Sequence, residues 1–186
     1  MRARKHVSEH PITTMVEPFK TGFAVIGIDP GAKSGAAFGY DGKYRSSWQV
    51  SDNATERAAV VHHCVTMAQA SQLPIVVVME KWGAYGDFWT GVGLGRSSGR
   101  WMEQLELHGI PKSRLHRVLP STWRKPFGLG SVKGKDAKKA AAVQLAAVRL
   151  GIDSPGEDQA EAALMVEWAL KDPAVWERVP TRKVKI

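Results

Sequence analysis

The sequence predicts an α/β fold: a mixed five-stranded sheet, three strands antiparallel and two more parallel, with helices on both faces. Three observations carry this expectation. Two continuous apolar runs, residues 23–28 and 75–79, each end in one carboxylate, Asp29 and Glu80. The first run is followed by a two-residue hairpin signal, Asp41-Gly42. Beyond residue 52, helical periodicity alternates with short strands, which places helices against a sheet.

The chain has 186 residues, enough for one domain with a full core. Residues 1–22 contain Arg2, Arg4 and Lys5 but no apolar stretch of the secretory kind, and are expected to form a flexible basic arm. An organellar presequence is the competing reading, and Glu9 and Glu17 interrupt it. Val25, Ile26 and Ile28 belong to a strand apolar on both faces, as a central strand is. Residues 35–40 and 43–50 flank the turn and complete an antiparallel meander. Asp52 and Asn53 offer caps for a helix over 56–70, with Ala59, Val60, Cys64 and Met67 facing the core. His62 and His63 are adjacent on it, about 100° apart around the axis, so they cannot act as an i, i+4 metal pair. One cysteine excludes a disulfide framework and a Cys-rich zinc site, and Cys64 reads as a small buried hydrophobe.

Pro74 separates that helix from Ile75-Val76-Val77-Val78-Met79, a central parallel strand. Residues 81–95 mix glycine with Trp82, Tyr85, Phe88 and Trp89 and are predicted as a loop. Its rings either tuck onto the core or offer flat faces to unstacked bases. A helix over 96–108 follows, with Trp101 and Leu105 on its apolar side; then come a strand over 113–119 and an irregular stretch over 120–130. Helices over 136–150, ended by Gly151, and over 157–170 close a domain of residues 23–172. Residues 173–186 are expected as a loose basic tail.

Net charge is +8, from 26 Lys and Arg against 18 Asp and Glu. Residues 111–139 hold nine basic side chains, Lys112, Arg114, Arg117, Arg124, Lys125, Lys133, Lys135, Lys138 and Lys139, against one acid, Asp136. The whole surplus therefore sits in one segment. A solvated helix face is the bland account; a surface for a phosphate backbone is the stronger one. No run of 18 apolar residues occurs, so no membrane span is expected.

Asp158, Glu161, Ala162, Met165, Trp168 and Ala169 share one face of the last helix. Its two acids stand at the N-terminal end of an otherwise apolar stripe, where the helix dipole favours them. Alone they are ordinary first-turn acids. With Asp29 and Glu80 at one end of the sheet, four carboxylates on rigid elements can hold two divalent cations about 4 Å apart. Oxygen-only ligands suit Mg²⁺ or Mn²⁺.

Gly27-Ile28-Asp29-Pro30-Gly31, then Val78-Met79-Glu80, then Asp158-Gln159-Ala160-Glu161-Ala162 resemble the successive motifs of the RuvC family of Holliday junction resolvases, phage or plastid-type members in particular. The resemblance spans residues 23–170 and implies an RNase H-like fold, a homodimer, Mg²⁺ dependence with Mn²⁺ substituting, two ions per active site, and paired nicks in four-way DNA junctions. It assigns catalysis and metal binding to Asp29, Glu80, Asp158 and Glu161, the last a methylene longer than the aspartate usual in bacterial members. It places basic residues near the scissile phosphate at Arg124 and within Lys133 to Lys138, where Lys135 is selected as catalytic; Lys125, Lys133 and Lys138 join Arg124 in DNA binding. The family's aromatic wedge falls at Gly83, so Trp82, Tyr85 and Phe88 are the candidates to stack on bases. The dimer contact is expected at Trp101 and Leu105, and the location is expected to be the cytoplasm of a bacterial or phage-infected cell, with an organelle as the alternative.

Residues 27–34 nearly match a phosphate-binding loop but carry Ala32 where glycine is needed, and a strand follows instead of a helix. Kinase-like or actin-like ATPases need a second matching domain. A YqgF-type RNase H-like nuclease acting on RNA and a branched-DNA binding module that does not cut remain the alternatives.

Overall fold

The computed structural model describes residues 22–31, 33–81 and 88–177. Strands β1 (Ala24–Asp29), β2 (Ser34–Tyr40), β3 (Lys43–Val50), β4 (Ile75–Glu80) and β5 (Leu115–Val118) form one sheet in the order β3-β2-β1-β4-β5. β1 pairs antiparallel with β2 and parallel with β4, and β5 adds parallel to β4. The expected mixed sheet is present. Asp41 and Gly42 both have positive φ, 54° and 70°, the backbone a tight two-residue hairpin requires.

The pleat sends alternate side chains of each strand into two separate cores. Val25, Ala37, Val76 and Val78 pack on one face against α4 (Lys135–Leu150) and α5 (Glu157–Ala169). Ile26, Ile28, Phe38, Val77 and Met79 pack on the other against α1 (Ala54–Ala70) and α2 (Phe88–Leu107). Asn53 caps α1, its side chain accepting from the Thr55 N–H at 2.8 Å. α4 ends at Gly151 with φ 67°. α5 is buried on all sides from Ala160 to Ala169, because the sheet covers one side and α4 another.

Helix α2 begins eight residues earlier than its sequence suggests. Gly91, Gly93 and Gly95 argue for a loop at about 1 kcal/mol each. Once residues 97–105 are anchored in the core, however, adding turns costs far less than nucleating them. The stretch over 120–130 is more ordered than expected: Pro120 opens α3 (Pro120–Arg124), and two 3₁₀ turns follow. A short helix, α6 (Pro173–Trp176), buries Val175 in the core where a loose tail was expected.

Trp101 and Leu105 are 0% and 3% exposed. They belong to the chain's own core with Ile28 and Met79, which corrects their assignment to a dimer contact. The apolar stripe that suggested an interface faces the sheet. The outward side of α2 carries Phe88, Trp89 and Leu107 instead.

Candidate active site

Asp29 and Glu80 end adjacent parallel strands, with Ile28 paired to Met79 one residue earlier. The buried interior of the sheet thus delivers two carboxylates to the same end. α5 delivers two more from above. Its N-terminus lies so close to β2 that a Cβ at Gly35 would overlap the Asp158 carbonyl, and Gly35 is the cross-strand partner of Asp29. Absence of a side chain at residue 35 therefore sets Asp158 beside Asp29. A Cβ at Gly27 would lie 2.8 Å from the Ala162 carbonyl, so the next turn of α5 is seated the same way. Gln159 secures the end, donating from Nε2 to the Ser47 carbonyl at 3.2 Å.

Carboxylate oxygens of Asp29, Asp158 and Glu161 lie within 4.8 Å of one another. Glu80 stands beside this triad. Trp123 Nε1 donates to Glu80 Oε2 at 2.9 Å, and Arg124 Nη2 lies 3.6 Å from the same oxygen and 2.6 Å from Glu161 Oε1. α3 can reach Glu80 because Val118, two residues before Pro120, pairs with Glu80 across the sheet. On the far side Lys139 Nζ donates to Glu157 at 2.8 Å and to Asp158 at 3.2 Å.

This is a strongly negative, poorly solvated corner. Burial first, then repulsion from Glu80, Glu161 and Asp158, holds the Asp29 carboxyl well above its ordinary range. The Asp29 and Glu161 carboxylates come within 4.8 Å of each other, with no cation among the described residues between them to offset their charge. Burial raises Glu80 to about 7 despite Arg124 and the Trp123 hydrogen bond. Glu161 is raised as well, chiefly by burial, with Arg124 opposing. Among the described residues, Arg124 and Lys139 are the cations that contact these four acids. The donor set is all oxygen, rigidly mounted and short of positive charge, and it fits Mg²⁺ or Mn²⁺.

Of the basic residues selected from sequence, Arg124 enters the corner. Lys135 is exposed at the first position of α4. Lys139, one turn further along the same face, makes the contact with Asp158 that Lys135 does not. Lys125 and Lys133 are exposed and Lys138 half-buried, all outside the acid cluster. Phe88 is 73% exposed and meets Trp89, 76% exposed, edge to face at 5.3 Å. Trp82 and Tyr85 lie outside the described residues. Nothing in the sequence singles out Lys139, Trp123 or Gln49 as a site residue, yet Gln49 Nε2 lies 3.5 Å from Asp158 Oδ2. Lys139 was visible in the charge cluster, four positions from the residue chosen; Gln49, on an edge strand, gave no signal.

No family model matches the sequence, and no curated protein does. Solved structures do match. RuvC of Thermus thermophilus in complex with Holliday junction substrate is 19% identical, covers 84% of this chain and 98% of its own, and superposes with a TM-score of 0.54. A second structure of Thermus thermophilus RuvC is 18% identical over 84% of this chain and 96% of its own, with a TM-score of 0.51. At this identity the likeness is one of architecture: the chain has the RNase H-like fold of these structures.

Proposed function

We propose that the chain is an endonuclease that resolves four-way DNA junctions by metal-assisted phosphodiester hydrolysis. The observation that carries this reading is the convergence of Asp29, Asp158 and Glu161, with oxygens within 4.8 Å, beside Glu80 at one end of the sheet. The fold shared with a RuvC structure that contains a Holliday junction supports the choice of substrate. Mg²⁺ is the proposed cofactor, two ions per site held by these four acids, with Mn²⁺ substituting. When bound, the ions offset charge on the phosphate and lower the pKa of the attacking water.

The chain's own residues bind and orient. Arg124 and Lys139, already drawn to the acids, present charged donors to a phosphate entering the corner. Lys125, Lys133, Lys135 and Lys138 track the flanking backbone. Phe88 and Trp89, with Trp82 and Tyr85 preceding them in sequence, offer rings to unpaired bases at the branch point. A junction has two equivalent strands to cut, so the active species is a homodimer with a two-fold axis. Its proposed contact is the C-terminal end of the outward side of α2, where Leu107 is 71% exposed, at the other end of the helix from Phe88 and Trp89.

The test is a set of labelled four-way junction, flap, duplex and structured RNA substrates, each with and without Mg²⁺. Symmetric paired nicks in the junction, dependent on Mg²⁺, are expected. Asp29→Asn is expected to cut at least about a thousandfold more slowly while binding the junction as the wild type does. Cleavage of RNA alone would point to a ribonuclease. Binding without cleavage in Mg²⁺ or Mn²⁺ would point to a branch-binding module.

A further inference from the structure

The turn that follows Asp29 is tied to the helix on the opposite face of the sheet from α5. Ser97 of α2 is 5% exposed, and its hydroxyl donates to the Gly31 carbonyl at 3.0 Å. Ser34, 1% exposed, donates to the same carbonyl at 3.1 Å and accepts from the Gly31 N–H at 3.3 Å. The Ser34 carbonyl accepts from Gln49 Nε2 at 3.3 Å, and that amide lies 3.5 Å from Asp158 Oδ2. A polar chain therefore runs from α2, through the Asp29 turn, to a second acid of the triad.

α2 is a firm anchor for that chain. Trp101, one turn after Ser97, is fully buried. Arg100 is paired with Asp52, which also holds Arg57 at 2.9 Å, so the middle of α2 is fastened to the start of α1. Asp29 needs such an anchor. It is buried and repelled by three other acids.

We infer that Ser97 is a positioning residue: by holding the Gly31 carbonyl to α2 it keeps the Asp29 carboxylate where divalent metal is bound. This rests on the reading of the acids as a metal cage. Ser98 supplies an internal control. It is 2% exposed, next in sequence, and its hydroxyl has no hydrogen-bond partner among the described residues.

The experiment measures Mn²⁺ binding to the full chain by electron paramagnetic resonance, together with metal-free melting temperature and affinity for a four-way junction. Ser97→Ala is expected to bind Mn²⁺ about tenfold more weakly, the lower end of what loss of an outer-shell hydrogen bond costs a metal site. Its junction affinity should match that of Ser98→Ala, which binds Mn²⁺ as the wild type does, while its metal-free melting falls only by what the loss of about one hydrogen bond costs. Should Ser97→Ala fail to fold, Ser34→Ala is read in the same way, because it removes the other donor to that carbonyl. Wild-type Mn²⁺ binding in Ser97→Ala, or an equal loss in Ser98→Ala, overturns the inference alone. A wild-type chain that binds no Mn²⁺ overturns the metal cage and this inference with it.

Discussion

Helix α5 buries two glutamates six residues apart, and their surroundings are opposite. Glu161 and Glu167 are 3% and 7% exposed. Around Glu167, burial is outweighed by Arg149 and Lys171, each with a nitrogen 2.7 Å away, and its carboxyl is held below the ordinary range. Around Glu161, burial dominates; its cation, Arg124, is shared with Glu80, and the carboxylates beside it are those of Asp29 and Asp158. The same helix thus ends in a satisfied carboxylate on one side and a frustrated cluster on the other. Selection for stability alone would pair both ends alike. A cluster kept short of cations is what a site awaiting an external one looks like.

The comparison breaks most severely at Gly35. A Cβ there overlaps the Asp158 carbonyl, so Gly35→Ala must lift the N-terminus of α5 off β2. The expected cost is about 3 kcal/mol in urea denaturation. Divalent binding should be lost, because Asp158 leaves Asp29, while the pairs around Glu167 persist. Wild-type stability in this variant would mean that α5 is not seated on β2 as described.

A smaller and more selective effect separates the two ends by sign. Asp29→Asn removes a buried carboxyl that must either keep a proton or be repelled by three neighbours, so metal-free protein should melt higher than wild type. Glu167→Gln removes the acid that both Arg149 and Lys171 contact, so it should melt lower. Its cost is about 1–2 kcal/mol, below that of a fully buried pair, because Arg149 and Lys171 are 46% and 59% exposed. Shifts of the same sign would remove the distinction between the two ends.

Much of this arrangement is legible in the sequence, and the illegible parts have physical causes. Two continuous apolar strands ending in Asp29 and Glu80 announce a buried sheet with acids at one end, because only central strands are apolar on both faces. The 3.6-residue period puts Asp158 and Glu161 on one face of α5. Periodicity does not say which lysine of an exposed face turns inward: Lys135 and Lys139 differ by one turn, and Glu157 with Asp158 decides between them. Nor does an apolar stripe say what covers it, so Trp101 and Leu105 read equally well as an interface or as core. The seat of α5 is hidden for a different reason. Gly27 and Gly35 act by what they lack, and their effect is visible only when the helix above them is in place.

The mildest expected effect is a pH dependence that also differs between the ends. Glu80 in the folded chain titrates near about 7, above its ordinary 4.5, with Asp29 and Glu161 displaced the same way. Metal-free native protein therefore holds protons that the unfolded chain has released. Stability from this cluster is full below the ordinary carboxylate range and declines as pH rises through about 7. Glu167 works in reverse: its contribution is present above its ordinary 4.5 and fades as pH falls below it. Between pH 5 and 8 the cluster alone should tilt the melting curve downward, and Asp29→Asn should flatten the tilt. Mg²⁺ must displace the protons the acids hold, so its stabilising shift should be larger at pH 8 than at pH 5. Calorimetry at both values, with EDTA and with Mg²⁺, checks this; equal shifts would mean that metal and protons do not compete for these carboxylates.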